Sequence, residues 1–300
     1  MDYNEEYRKI FKKKLLDTFK YTASFLEKHN LKYWACAGTC IGAVRHHGVI
    51  PWDDDIDIMM PHDDYYKLLD LRDTMKGSGY SMACNQDKGY YYEFGKIMDE
   101  NTTIVEFKFL PFVFGVYVDV FPVCQTNSDK SEIYKNIDYY DRHFHGKFNQ
   151  ISYHVSFFDI ISHPNVEMLR VLFGRHGYLK AKLEGYYSRN KLYNDWAEFE
   201  KNLNKNIGDK YVSYIEGYPG RKIYDKVWFD ESVDMPFEDT TIKVPGKYDK
   251  YLTHVYGDYM TLPPEEKRVS LHKKYYTNLR ERLDICEIRR RIEKGETLVY

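Results

Sequence analysis

The chain has no run approaching the roughly 20 apolar residues that a membrane-spanning helix requires. Its opening stretch, MDYNEEYRKIFKKK, is charged throughout and lacks the apolar centre of a secretory signal. Cysteine is sparse: Cys36, Cys40, Cys84, Cys124 and Cys286 are five in 300 residues, odd in number and without a CxxC pair. That pattern excludes a disulfide framework and a cysteine-based zinc site. No internal repeat or low-complexity tract is present. The formal net charge of −2 gives no general attraction to nucleic acid. Together these absences predict a cytoplasmic protein with reduced thiols.

Tyrosine, by contrast, is abundant, at 30 of 300 residues. Such a content serves either as stacking platforms and cation cages or as a by-product of an A- and T-rich genome, which also raises Lys, Asn, Ile and Phe. The apolar fraction of 43% and charged fraction of 30% fit an ordinary globular chain with room for one large domain or two modest ones.

Periodicity predicts the elements. Tyr7, Phe11, Leu15 and Phe19 recur every fourth residue, with Leu16, Ala23 and Leu26 beside them, so residues 5–29 read as an amphipathic helix. Tyr33 to Ala37 reads as a buried strand and Cys40 to His46 as a short helix. Asp55 to Met59 alternates like a strand, and Pro61 opens a helix from His62 to about Met75. Tyr90–Met98, Thr102–Glu106 and Val116–Phe121 read as strands, the last closed by Pro122. Ser131 to Lys210 is mostly helical in pattern. Residues 240–244 form a strand, Pro245 starts a helix that Gly257 ends, and the last thirty residues read as helical and basic. The fold class is therefore α+β: a small mixed sheet with helices on one face, plus a mostly helical middle and C-terminal region. Residues 1–125 would be the core, 126–230 a helical subdomain or insertion, and 231–300 a segment returning to the core.

The densest chemistry lies in residues 38–60, GTCIGAVRHHGVIPWDDDIDIMM. On an extended strand, Asp53, Asp55 and Asp57 project from one face. Three carboxylates so placed repel unless a divalent cation neutralises them, and hard oxygen ligands favour Mg²⁺ or Mn²⁺. An EF-hand loop is a poor match, because its sixth and twelfth positions would be Ile58 and Asp64. A solvated acidic turn fits badly with the interleaved Ile56, Ile58 and Met59. Upstream, Gly38-Thr39 follows an apolar strand, where a turn without a Cβ brings amides and a hydroxyl close to a phosphate. Asp119 is an isolated charge in the apolar run Val116–Phe121, as either a third acid of such a site or half of a buried salt bridge.

The run GTCIGAVRHHGVIPWDDDIDIMMPHDDY (38–65) closely resembles the LicD family, as do GKIMDENTT (95–103), GVYVDVFPV (115–123) and the segment 235–268 that ends in YGDYMTLPPEEKR. Members transfer phosphocholine or related groups from CDP-linked donors to sugars, and fukutin and fukutin-related protein are distant relatives. Cys40-Ile41 stands where the family often has Leu-Leu, a conservative change. The resemblance implies a nucleotidyltransferase-type core with Asp55 and Asp57 on the metal, Asp53 supporting and Asp119 as the third acid. It implies Gly38, Thr39, Arg45, Lys96 and His272 as substrate contacts, with Arg45 and Lys96 on the donor's diphosphate. The expected reaction moves a phospho-alcohol, with CDP-choline the favoured donor, onto a glycan or lipid-linked sugar and releases CMP. An NTP-dependent nucleotidyltransferase shares the glycine turn and the acids and stays open, as does a non-catalytic metal-binding scaffold. Residues 268–294 hold nine Lys/Arg against four Asp/Glu. That surplus suits either peripheral contact with an anionic inner membrane face or a solvated surface.

Overall fold

Helix α1 (Glu5–Lys28) forms where the four-residue apolar repeat lies. Tyr7, Phe11, Leu15, Leu16, Phe19, Phe25 and Leu26 are all buried, whereas Ala23 is only partly so. The computed structural model describes residues 5–110, 112–126, 129–152, 188–204, 208–214, 223–270, 272 and 274–300, with isolated positions between 169 and 183.

Strands β1 (Trp34–Ala35), β2 (Asp57–Pro61), β3 (Tyr80–Ala83), β4 (Gly95–Asp99) and β6 (Tyr117–Thr126) form a mixed sheet in the order β1-β2-β6-β4-β3; β5 (Thr103–Val105) lies apart from it. The pair β2 and β6 is parallel, with Asp57 opposite Asp119, and the remaining neighbours on that path are antiparallel. Helix α1 packs against β4 and β6, and α3 (His62–Leu71) against β2 and β6. Between β1 and β2, α2 (Ala37–Ile41) runs on into a π-helical stretch, Gly42–His46.

The sheet departs from the sequence expectations at three places. Residues 53–56 precede β2 and are not part of it. The expected strand from Tyr90 begins only at Gly95. Pro122 does not close β6, which continues to Thr126. Asp119 donates its N–H to Ile56 O, so the amides of residues 120 and 122 face the opposite side. On that side pairing with β4 stops at Val120 and pairing with β7 (Lys210–Val212) resumes at Cys124. The N–H that proline lacks therefore falls in a gap between partners, where no ladder bond is lost.

The expected helical stretch from Ser131 to Lys210 is described in part, as α4 (Lys130–His143), α5 (Lys147–Ser152) and α6 (Arg189–Leu203). The rest of it lies outside the described residues, apart from isolated positions. Ile133, Ile137, Tyr140, Phe144, Phe148, Leu192 and Trp196 gather here with Cys124 and Val212 into a second buried cluster. It joins the sheet through β6, β7 and β8 (Ile223–Asp225).

Downstream, β9 (Ser232–Phe237) and β10 (Thr240–Pro245) form a hairpin, and α7 (Tyr248–Tyr256) ends at Gly257 with φ of 72°. The last thirty residues are not uniformly helical: α8 (Ile285–Glu293) lies between β11 (Tyr276–Asn278) and β12 (Leu298–Val299). Strand β11 pairs with both β5 and β12, and three residues are too few for alternation to signal a strand. No helix among the described residues is long and apolar enough to cross a membrane.

Phe19 is fully buried and meets Phe237 edge-on at 5.8 Å, joining α1 to the β9–β10 hairpin. Phe19→Ala should lower unfolding free energy by about 3–5 kcal/mol in urea denaturation; a loss below about 1 kcal/mol would mean that this contact does not hold the hairpin.

Candidate metal and substrate site

Parallel pairing of β2 with β6 sets the site. Asp57 opens β2, Asp119 lies opposite it, and Asp55 comes from the segment just before. Carboxylate oxygens of Asp55, Asp57 and Asp119 lie within 4.8 Å of one another. Burial, with Asp55 and Glu106 nearby, pushes Asp119 up to about 6 against the opposing pull of Lys96. The three acids thus offer a compact set of hard oxygen donors whose repulsion a divalent cation would relieve, a fit to Mg²⁺ or Mn²⁺.

Asp53 and Asp55 lie ahead of β2 and not within it, so no strand alternation sets their faces, although the two carboxyls lie close together. Asp53 also groups with Asp54 and His272, with ligating atoms within 4.8 Å of one another. Burial and the neighbouring Asp55 charge push Asp53 up to about 7. His272 Nδ1 lies 2.9 Å from Asp54 Oδ1 and 3.4 Å from Asp55 Oδ2. The hydrogen bond to Asp54 is the main reason that His272 rises to about 9. Burial alone would push Asp54 up, but His272 and Lys274 bring it down to about 2. Lys274, a donor to Asp54, has a buried side chain and was not singled out in the sequence.

Gly38 and Thr39 shape the acids from below. A Cβ on Gly38 would come within 2.6 Å of Asp53 Oδ2, so a larger residue there would push that carboxylate aside. Thr39 is buried, and its hydroxyl accepts the Asp57 N–H at 2.8 Å. It holds the start of β2 in place, a different task from the phosphate contact expected of it.

Lys96 is the largest departure. It is neither a surface lysine nor an open phosphate ligand: its side chain is 2% exposed and its ammonium donates to Asp119 Oδ1 at 2.6 Å. The rings of Tyr117, Tyr92, Phe94 and Phe114 surround it, at 3.5, 4.6, 5.2 and 5.6 Å from ammonium to centroid. Behind it, Glu106 accepts hydrogen bonds from the hydroxyls of Tyr91, Tyr92 and Tyr117, each at 2.6 Å. Burial would raise Glu106; the Lys96 charge and these three donors hold it below the usual carboxylate range. Glu106 was overlooked, although it carries the signal that flagged Asp119: a lone acid in an apolar stretch.

Arg45, in the π-helical stretch, donates to Tyr259 O at 2.5 Å, Thr261 O at 3.4 Å and His46 Nε2 at 3.0 Å. It thereby ties the glycine-turn region to the loop after α7.

Residues 30–161 match the family described as LicD/FKTN/FKRP, nucleotidyltransferase domain. The chain is similar to the lipopolysaccharide cholinephosphotransferase LicD of Haemophilus influenzae, at 28% identity over 273 residues, spanning 86% of this chain and 92% of that one. It is also similar to the ribitol 5-phosphate transferase FKRP of Homo sapiens, at 36% identity over 64 residues, 21% of this chain and 13% of that one.

Lys96→Met would leave Asp119 and Glu106 buried without their counter-ion and should cost about 3–5 kcal/mol of stability by chemical denaturation. A variant as stable as wild type would show that the ammonium is not what balances the two acids. In an NMR titration the His272 imidazole should change near pH 9, and Asp54→Asn should bring that midpoint down. The folded value lies above the ordinary one for His272 and below it for Asp54. The pair's contribution is therefore full from about pH 4 to 6.5, fading as pH falls through about 2 or rises through about 9. An unshifted His272 would mean that the pair does not form in solution.

Proposed function

We propose that the chain, whose residues 30–161 match the LicD/FKTN/FKRP nucleotidyltransferase domain, is a transferase. It would move a phospho-alcohol group from a CDP-linked donor to a hydroxyl of a glycan or lipid-linked sugar. The observation that carries this reading is the triad of Asp55, Asp57 and Asp119, which lies inside the matched domain with oxygens within 4.8 Å. Similarity along 273 residues to a cholinephosphotransferase makes phosphocholine the favoured group.

Asp55, Asp57 and Asp119 would hold a Mg²⁺ or Mn²⁺ ion, which supplies charge neutralisation at the donor diphosphate. Lys96 keeps one oxygen of Asp119 engaged and so orients the carboxylate. His272 and Lys274 hold Asp54 as a stable anion beside Asp53 and Asp55. The acceptor oxygen attacks the phosphorus bearing the alcohol, the bond to CMP breaks, and CMP leaves with the bonding electrons. Asp119, beside the ion, would help to take the hydroxyl proton. Positioning and electrostatics supply most of the rate in such transfers.

A panel of CDP-alcohols with Mg²⁺, scored by CMP release with and without sugar acceptors, tests the reading. CDP-choline should be turned over, and Asp55→Ala and Asp57→Ala should each reduce the rate by about a hundredfold or more while remaining folded. Wild-type rates in either variant would remove the metal assignment. Pyrophosphate release from nucleoside triphosphates, without CMP from any CDP-alcohol, would replace the reading with a nucleotidyltransferase.

A further inference from the structure

Beside the acids lies a group of cations that the carboxylates do not neutralise. Arg268 stands over the Trp52 ring at 5.7 Å, the Trp52 ring meets His46 edge-on at 5.9 Å, and His46 Nε2 accepts from Arg45 Nε. These four side chains form one continuous assembly, and Trp52 is the residue before Asp53. Among the described residues Arg45 has no carboxylate partner, and it engages backbone carbonyls with Nη1 alone. Arg268 uses Nε on Pro263 O, and its nearest acid is Glu265 at 4.0 Å, whose side chain is 91% exposed. Each guanidinium therefore keeps an amino group without a carboxylate. Burial and the charge of Arg268 both bring Arg45 down, a sign that the two cations oppose each other.

Two half-buried guanidiniums pinned by backbone carbonyls, one without a carboxylate partner among the described residues and one with only an exposed acid at 4.0 Å, carry a repulsion that a multiply charged anion removes. Their planar forks suit phosphate oxygens better than a single carboxylate. We propose that Arg45 and Arg268, joined through His46 and Trp52, form an anion site for the diphosphate of a nucleotide that binds without metal. The inference rests on the donor reading above but concerns binding alone. It adds Arg268, Trp52 and His46 to the one arginine that the sequence singles out.

The test titrates the whole chain with CDP in EDTA, read by tryptophan fluorescence and by calorimetry, with inorganic pyrophosphate as a second ligand. CDP should bind saturably, and Trp52→Phe should remove most of the optical change while calorimetry still detects binding. Arg268→Gln should weaken CDP binding at least tenfold. Arg268 lies in a largely exposed stretch, so this substitution should leave the fold intact, as circular dichroism would confirm. Arg45→Lys should retain more affinity than Arg45→Gln. Pyrophosphate that competes with CDP in an Arg268-dependent manner assigns the recognition to the anion; CDP binding without such competition assigns part of it to the nucleoside. The proposal fails if neither ligand binds in EDTA, or if CDP binds equally well to wild type, Arg268→Gln and Arg45→Gln. CDP binding that depends on Arg268, combined with no CMP release from any CDP-alcohol, would overturn the transfer reaction and leave this site standing.

Discussion

Mutual repulsion among five carboxylates is the constraint around which this end of the sheet is built. Asp53, Asp54, Asp55, Asp57 and Asp119 converge where β2 begins beside β6. Left alone they would hold protons or open the strands, since like charges a few ångströms apart cannot all ionise. The fold answers from two sides. Lys96 enters from β4 beneath Asp119, and His272 with Lys274 arrives from the C-terminal region above Asp54. Asp53 and Asp119 nonetheless stay raised, to about 7 and about 6. The internal cations thus compensate the cluster only in part, and Asp55, Asp57 and Asp119 keep a repulsion that a bound divalent cation would relieve.

This compensation depends on long-range contacts, which explains what the sequence could and could not convey. Asp57 is legible as the last of a run of acids entering an apolar strand and Asp119 as a lone acid in one, and pairing the two strands brings them together. Gly38 is legible as a close-approach position, and the group that approaches it within the chain is Asp53. The face shared by Asp53, Asp55 and Asp57 was misjudged because alternation in sequence does not reveal where a strand starts. Lys96 was misjudged for a related reason. Nothing local distinguishes a solvated lysine from one whose partners, Asp119 and Glu106, lie on other segments. Pro122 reads as a strand end only until both neighbours of β6 are known, since the gap between β4 and β7 removes the penalty. The helical middle was legible as helix where α4 and α6 are described, but not its attachment to the sheet through β7 and β8.

The tyrosine excess acquires a partial physical account in the same terms. Tyr91, Tyr92 and Tyr117 supply hydroxyls to Glu106, while Tyr92 and Tyr117 present ring faces to Lys96. A phenol can stabilise an anion with its hydroxyl and a cation with its ring, so a few of these residues solvate a buried ion pair where water is excluded. Tyr259 has a different task, since its hydroxyl donates to Asp249 at 2.8 Å and its carbonyl receives Arg45.

That arrangement also bears on how a donor's alcohol is recognised. The aromatic box nearest the acids is a cation cage, but the cation inside it is the chain's own. Displacing Lys96 would strip both Asp119 and Glu106 of their counter-ion, a cost that a weakly hydrated quaternary ammonium cannot offset, since it offers charge without a hydrogen bond. A choline headgroup therefore has no place in the box formed by Tyr92, Phe94, Phe114 and Tyr117. If the transferred group is cationic, its selection falls to residues on the open side of the triad. The buried tyrosines act on it only indirectly, through the orientation that Lys96 imposes on Asp119.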